Sequence, residues 1–346
     1  MGHNRTIILI NLWDKGGMKH YADALAEAIR QETRVVYVCN YPVTPATNLT
    51  HHPVAIGPEM VSPRNLWAAL RLGWRLVRLK GAIYMTSDHP MLLLLYPLFA
   101  FRRSVLVIHD ARSHHGERTA KVLFHKLHLN LFSLMLRRFV VHSEQIAAAL
   151  PWTIRVRKPT VIPHLHYRSM AQTDTAPLGA GPFRLLFFGR ILAYKGLTDL
   201  YGAMTRLPQD AFDLTVAGEG RIEETYTGDN QTLINRFITD EEMHRLFDAC
   251  HAVVLPYRAA SQSGVAYMAL AYGKPVISTR VGAIPEVIKQ DQNGLLIPPG
   301  DREALAAAIR AMAVPQTYAT LCDGIAKNSA DNIDLVRQRV KGVCFD

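Results

Sequence analysis

The feature that most constrains the fold is a series of short apolar runs that alternate with amphipathic helical stretches along the chain. These runs lack the period-two alternation of half-exposed strands, which is typical of parallel strands buried on both faces. Alternation of such strands with helices predicts an α/β fold built from doubly wound parallel sheets. The predicted strands are residues 6–12, 34–39, 82–85, 104–108, 138–141, 159–162, 184–188, 212–217, 252–255, 275–278 and 295–297.

The length of 346 residues predicts about two domains. Residues 166–183 interrupt the strand–helix alternation, and their Ala, Thr, Gly and Pro content is typical of an interdomain linker. We therefore expect two Rossmann-like domains, over residues 1–170 and 171–329, that face each other across a cleft. Residues 330–346 are expected to form a final helix.

Charge and composition limit the classes of binding partner and the cellular compartment that we expect for this chain. The net charge of +10 favours an anionic partner, such as a nucleotide-sugar, an anionic lipid surface or nucleic acid. No helix-turn-helix, RNA-binding or zinc signature is present, which argues against nucleic acid. Four widely spaced cysteines without a C-x-x-C pattern favour reduced thiols and a cytoplasmic location.

We expect no signal peptide, because the apolar stretch at the start is short and is predicted to form the first strand. The longest apolar run, residues 91–101, is interrupted by Pro97 and falls short of the ~20 residues of a spanning helix. It predicts a buried helix, with a membrane-dipping segment as the alternative.

Two cations and two glycines follow the apolar strand 184–188, as Gly189-Arg190 and Lys195-Gly196, before a helix begins. Unpaired N–H groups and the helix dipole favour anions at such a place. Arginine can bind two phosphate oxygens at once, and lysine adds a point charge. The stretch therefore predicts a diphosphate site, with an ordinary turn and solvated cations as the alternative.

Three further blocks follow in a fixed order, namely VAGEG (216–220), VVLPYRAASQSGVAYMALAYGKPVISTRVGAIPEVI (253–288) and NGLLIPPGD (293–301). Together with residues 187–200 they closely resemble the C-terminal half of retaining glycosyltransferases of the GT-B fold, family 4. The resemblance covers residues 184–310 and extends more loosely to 11–29, 107–110, 142–144 and 161–164.

The resemblance implies transfer of a hexose from a nucleotide-diphosphate sugar to a lipid-linked or oligosaccharide acceptor in polysaccharide or glycan assembly. It implies no cofactor beyond the nucleotide-sugar co-substrate, and a last helix that crosses back to the first domain. The N-terminal domain would bind the acceptor and the C-terminal domain the donor.

Roles for individual residues follow from the matched motifs. Arg190 and Lys195 would stabilise the leaving diphosphate, and His109, at the end of a strand, would face the donor hexose. The donor-binding residues would be Gly16, Gly17, Gly189, Gly218, Gln262, Ser263, Gly264, Val265 and Glu286. His114, His115 and Glu117 would line the acceptor side.

The chain departs from the family in the loop at residues 258–268. Ala260 and Met268 occupy the positions where the family carries two glutamates. The Ser261-Gln262-Ser263-Gly264 loop remains at a helix N-terminus, and its backbone N–H groups and hydroxyls can hold a phosphate or sugar hydroxyls. We interpret the chain as a polysaccharide-assembly-like sub-branch, with a non-catalytic copy as the alternative.

We expect no metal at the site. His109, His114 and His115 cluster in the sequence near Asp110, but their spacing fits no familiar zinc pattern. The sequence contains no Asp-x-Asp of the kind that holds nucleotide-bound magnesium, and GT-B enzymes generally need none. Catalysis is therefore expected to be independent of divalent metal.

Residues 64–80 have helical patterning with a basic stripe bordered by tryptophan. Such a helix is typical of a membrane interface, and Arg71, Trp74, Arg75 and Arg78 would form its membrane surface. The alternative is an ordinary amphipathic helix with solvated arginines. Residues 120–138 have a similar helical pattern with basic residues on one face. We therefore expect peripheral association with the inner face of the plasma membrane.

Two other functions remain open from the sequence. A nucleotide-sugar epimerase of similar fold would turn over a nucleotide-sugar without an acceptor. A non-catalytic subunit would bind the nucleotide-sugar without transfer or hydrolysis.

Overall fold

The computed structural model describes residues 5–14, 16–56, 62–86, 89–109, 127, 129–165, 178–179, 181–222, 226–260 and 262–346. The chain divides into two compact units. Unit 1 comprises Met1–Ser169 and Ile333–Asp346, and unit 2 comprises Met170–Asn332. Most of the predicted linker, residues 166–177 and 180, lies outside the described part of the chain.

Unit 1 contains a seven-stranded sheet in the order β3-β2-β1-β4-β5-β6-β7, and every neighbouring pair is parallel. Its strands are β1 (Thr6–Asn11), β2 (Arg34–Cys39), β3 (Leu49–Pro53), β4 (Ala82–Met85), β5 (Ser104–Ile108), β6 (Arg138–Val141) and β7 (Thr160–Val161).

Helices cover both faces of this sheet. They are α1 (Gly16–Arg30), α2 (Pro63–Arg78), a 3-10 helix (Pro90–Leu95), α3 (Tyr96–Ala100), α4 (described over 129–135), α5 (Glu144–Ala149) and α6 (Trp152–Arg155). Successive strand residues point to opposite faces, so Ile8 belongs to one apolar core and Leu9 to another. Both faces are therefore buried, which explains the absence of period-two alternation in the sequence.

Unit 2 contains a six-stranded sheet in the order β10-β9-β8-β11-β12-β13, and all its pairs are parallel as well. Its strands are β8 (Phe183–Phe188), β9 (Phe212–Ala217), β10 (Gln231–Ile234), β11 (Ala252–Leu255), β12 (Val276–Thr279) and β13 (Gly294–Ile297). Its helices are a 3-10 turn (Ala193–Lys195), α7 (Leu197–Met204), α8 (Asp240–Ala249), α9 (Gly264–Ala271), α10 (Ile284–Val287) and α11 (Arg302–Met312).

A single helix, α12 (Pro315–Phe345), contributes to both units. Its first turns place Tyr318 and Leu321 in a core of unit 2. Its last turns place Val336 and Val340 in a core of unit 1. Arg337 adds a hydrogen bond of 2.8 Å from its Nε to the carbonyl oxygen of Ala28.

The predicted α/β fold with two doubly wound parallel sheets is confirmed, but two strands, β3 and β10, were not expected. Both lie at the edge of their sheets. In contrast to β13, which also lies at an edge but is buried along its whole length, β3 and β10 contain no buried residue. Their sequences, LTHHP and QTLI, therefore lack the apolar run on which the prediction depended.

The apolar run 91–101 forms all but the first residue of the 3-10 helix and then α3, with Met91, Leu92 and Phe99 buried in a core of unit 1. The buried-helix interpretation therefore describes this segment, although it forms two short helices rather than one. Among the described residues, no helix combines the length and the apolar character needed to cross a membrane.

Candidate functional site

Two glycine turns meet at the carboxyl edge of the sheet in unit 2. Gly189 follows β8 with φ of 104°, and Gly218 follows β9 with φ of 146°. A Cβ on Gly218 would lie 2.0 Å from the carbonyl oxygen of Gly189. Only glycine permits this approach at such dihedral angles, so the turns leave backbone rather than side chains at this edge.

Gly196 fixes the loop that carries Lys195. It has φ of 71° and caps the N-terminus of α7 in the left-handed conformation. A Cβ at this position would lie 1.9 Å from the carbonyl oxygen of Pro256. The loop after β8 is therefore in direct backbone contact with the loop after β11.

Lys195 is held by a chain of polar groups. Its Nζ donates a hydrogen bond of 2.8 Å to the hydroxyl of Tyr257 and lies 4.1 Å from the centre of that ring. The Tyr257 hydroxyl in turn lies 3.2 Å from Oγ of Ser263. Tyr257 is 1% exposed, so it forms a fixed bridge between two residues that the sequence predicted for the site.

Ser263 begins helix α9. Its Oγ accepts a hydrogen bond of 3.3 Å from the N–H of Ala266, which makes it the N-cap. A Cβ on Gly264 would meet nothing within 4 Å, and one on Gly189 would lie 3.5 Å from Val265 Cγ2. Gly189, Ser263, Gly264 and Val265 are thus brought together, and the half-buried Gln262 directly precedes them.

Arg190 is exposed at this edge, and within the described residues its guanidinium has no ion pair or hydrogen bond. A second arginine, Arg258, is held by two hydrogen bonds of 2.8 Å to the buried carboxylate of Asp199. These bonds hold the pKa of Asp199 below its usual range, so the carboxylate stays charged and anchors the loop after β11. Sequence reasoning missed Tyr257, Arg258 and Asp199, because their roles depend on contacts between residues 59 to 62 positions apart in the sequence.

The positions of the two missing glutamates are filled by apolar side chains. Ala260 and Met268 are half-buried and pack against a core of unit 2. Glu286 is exposed and lies in α10 (Ile284–Val287), whose N-cap is Ala283 without a side-chain cap. The helix starts two residues before Glu286, so Glu286 is not its N-cap residue.

In unit 1, the predicted residues lie at the carboxyl ends of β1 and β5. Gly16 is the first residue of α1, and Gly17 is exposed with open space where a Cβ would be. His109 directly follows β5, and its Nε2 donates a hydrogen bond of 2.7 Å to the carbonyl oxygen of Thr86. His114, His115 and Glu117 lie outside the described residues.

His109 belongs to a cluster that sequence reasoning did not find. The rings of His109 and His142 are 4.6 Å apart, and those of His142 and His164 are 4.9 Å apart. Tyr21 packs against all three rings at 4.6 to 5.1 Å. The three histidines follow β5, β6 and β7, which are neighbours in the sheet, so parallel pairing brings their distant sequence positions together.

Helix α2 exposes apolar and basic side chains together. Its buried residues are Asn65, Ala69, Leu72 and Leu76, whereas Trp67 and Trp74 are 67% and 63% exposed. The guanidinium of Arg78 lies 3.0 Å from the centre of the Trp74 ring. Arg71 and Arg75 are also exposed, and Arg75 donates a hydrogen bond of 3.0 Å to the carbonyl oxygen of Pro53.

Comparison with known proteins supports this description of unit 2. Residues 182–313 match the family model described as glycosyl transferases group 1. The chain is 33% identical over 143 residues to the amylovoran biosynthesis glycosyltransferase AmsK of Erwinia amylovora, covering 37% of this chain and 35% of AmsK. It is 30% identical over 141 residues to a glycogen synthase of Mycobacterium tuberculosis, covering 38% of this chain and 34% of that protein.

The matched stretches thus span about a third of the length of these curated relatives. The likeness to solved structures extends over the whole chain at lower identity. The Anabaena protein HepE in complex with UDP-glucose superimposes with a TM-score of 0.71 and 17% identity, over 97% of this chain and 98% of HepE. This likeness concerns the fold alone.

Proposed function

We propose that the chain is a retaining glycosyltransferase, because residues 182–313 match the family model of group 1 glycosyl transferases and the fold is similar to that of HepE. It moves a hexose from a nucleotide-diphosphate sugar to a lipid-linked or oligosaccharide acceptor in polysaccharide or glycan assembly. The observation that carries the proposal is the edge of the sheet in unit 2, where Tyr257 links Lys195 to Ser263 at the start of α9. Arg190 is exposed directly after the glycine turn at Gly189.

This edge suits the departure of a diphosphate. As the bond to the anomeric carbon breaks, negative charge develops on the β-phosphate, and fixed donors that meet this charge lower the barrier. The exposed Arg190 is available to bind phosphate oxygens, while Lys195 is held in place by Tyr257. No carboxylate base is needed, because the departing phosphate can take the proton of the acceptor hydroxyl.

The loop before α9 takes over the donor contacts that the family's two glutamates would make. Gln262 offers both an amide donor and an acceptor, so it can satisfy sugar hydroxyls without charge. Gly264 has open space around it, which allows the backbone N–H groups to approach the donor. Glu286 is exposed on α10 and is the carboxylate that we assign to a ribose or sugar hydroxyl.

We assign acceptor binding to unit 1. We assign His109 to the donor hexose, and the loop that contains Gly16 and Gly17 to the donor phosphate. Association with the inner face of the plasma membrane is supported by α2, which exposes two tryptophans beside its arginines. Basic residues and tryptophan on one exposed face are the composition of a helix that lies in a membrane interface.

The proposal is tested by replacing Arg190. We expect Arg190→Ala to lower kcat by about 10²–10³, equivalent to about 3–4 kcal/mol of lost transition-state stabilisation. The donor dissociation constant should change less than kcat. Arg245→Ala, which removes an exposed arginine of α8, is the matched control and should keep normal kcat. A folded Arg190→Ala protein with near-normal kcat would overturn the assignment.

A second candidate function is favoured by one observation. Both family glutamates are replaced, by the half-buried Ala260 and Met268. In that case the protein is a nucleotide-sugar-binding subunit without catalysis. The two candidates are separated by mass-spectrometric detection of products with a panel of nucleotide-sugars and a membrane lipid extract. Saturable donor binding without transfer or hydrolysis would select the binding subunit.

A further inference from the structure

Three histidines of unit 1 present their ring nitrogens to one another. One ring nitrogen from each of His109, His142 and His164 lies within 4.8 Å of those from the other two. His142 is 4% exposed, and the other two are half-buried. The cluster lies at the carboxyl ends of three adjacent parallel strands, where open parallel sheets bind their ligands.

The hydrogen bonds of two rings fix where their protons are. A carbonyl oxygen only accepts, so His109 carries its proton on Nε2, which donates to Thr86. For the same reason His142 carries its proton on Nδ1, which donates at 2.9 Å to the carbonyl oxygen of Ile162. Each ring therefore keeps its lone pair on the opposite nitrogen. Histidines that bind metals in proteins are oriented in this way, by donating the other N–H to a carbonyl or carboxylate.

The lone pair of His142 gives an independent sign of a missing partner. Its Nε2 is buried and has no hydrogen-bond partner, and a buried polar atom without a partner is costly.

We propose that His109, His142 and His164 form a binding site for a first-row transition-metal ion, with Zn²⁺ as the representative ion. Three imidazoles are a ligand set that suits zinc, copper and nickel rather than magnesium or calcium. Tetrahedral coordination at about 2.0–2.1 Å from zinc to nitrogen would place the nitrogens ~3.4 Å apart. The half-buried His109 and His164 can supply the small rotation that this contraction requires, and the fourth position stays open.

This site has a consequence that rests on the proposed function. His109 is the residue that we direct at the donor hexose, so a metal ion that takes its lone pair opposes donor binding. The metal is then an inhibitor of transfer rather than a cofactor, in agreement with the expectation that transfer itself needs no divalent metal.

Metal binding is tested with the full chain, produced without a histidine tag and freed of metal. We expect Co²⁺ to bind with one-to-one stoichiometry, to give the visible absorption of four- or five-coordinate cobalt, and to be displaced by Zn²⁺. His164→Ala and His142→Gln should each weaken Co²⁺ binding by at least about tenfold, since even loss of an outer partner costs that much. His52→Ala, on β3, is the control and should bind as the wild type does.

Absence of the visible bands, or equal Co²⁺ affinity in the wild type and His164→Ala, would overturn the site. Because His164 is half-buried, its replacement tests the site even where the His142 variant does not fold. The titration contains no nucleotide-sugar, so it is decided independently of the proposed function. In a separate titration, saturating Co²⁺ should weaken UDP-sugar binding to the wild type, and unchanged binding would refute the competition.

Discussion

Replacement of Gly196 by alanine tests whether contact between two loops holds the candidate diphosphate site in place. Gly196 combines a φ of 71° with a backbone contact, because a Cβ there would lie 1.9 Å from the carbonyl oxygen of Pro256. Gly300 has a similar φ of 76°, but nothing lies within 4 Å of its would-be Cβ. The two glycines therefore separate the cost of the dihedral angle from the cost of the contact.

The two substitutions are expected to lower the free energy of unfolding by different amounts. An alanine in the left-handed region costs roughly 1–2 kcal/mol, and this is all that Gly300→Ala should lose in free energy of unfolding. Gly196→Ala adds the displacement of one backbone segment from another, and overpacking costs about 1–3 kcal/mol more. Because the displaced loop carries Lys195, Gly196→Ala should also lower kcat, whereas Gly300→Ala should not.

Urea unfolding of both variants and the wild type, followed by a probe of unit 2, measures these differences. Near-equal destabilisation of the two variants would show that the loop moves away at no cost, and the contact would then have no positioning role. A Gly196→Ala protein that is destabilised but keeps normal kcat would separate the contact from catalysis and refute the second step of the reasoning.

Three further perturbations test other parts of the proposal. Charge reversal of Arg71, Arg75 and Arg78 together should reduce co-sedimentation with anionic liposomes at low salt, because each cation contributes about 1 kcal/mol to binding near such a surface. Equal liposome binding by the variant and the wild type would show that α2 only covers its own unit. EDTA should leave transfer intact, and activity that is lost in EDTA and returns with magnesium or zinc would contradict metal independence. Gln262→Ala should impair transfer strongly, while Met268→Glu should keep activity or tighten donor binding; an unaffected Gln262→Ala enzyme would exclude the role of this loop.

Strands were predictable where burial on both faces left a continuous apolar run. The central β1 and β8 have at least four buried residues each, and their positions follow from composition alone. The edge strands β3 and β10 each pair with one neighbour through the backbone, and their side chains are partly buried or exposed. Their polar sequences therefore give no local signal.

The candidate site was predictable where a local motif carries it. Gly189, Gly218 and Ser263 sit at strand ends and a helix start that can be read from the sequence. The bridge made by Tyr257 and the cluster around His142 depend on which strands are neighbours in the sheet. Strand order is a tertiary property, so nothing near His142 in the sequence indicates that His109 and His164 meet it.

The division of α12 between the units has a consequence for synthesis on the ribosome. Val336, Val340 and Cys344 complete a core whose other buried members lie between Ile7 and Leu165. Domains made first usually fold first, but here residues 1–169 leave the ribosome with part of their apolar core uncovered. Unit 2 can fold completely as soon as residue 332 has left the ribosome, whereas unit 1 is completed only when residues 333–346 have left it. Of the two units, unit 1 is translated before unit 2 but completed after it. A chain interrupted before residue 333 would leave one core of unit 1 incomplete, although every residue of the candidate diphosphate site would be present.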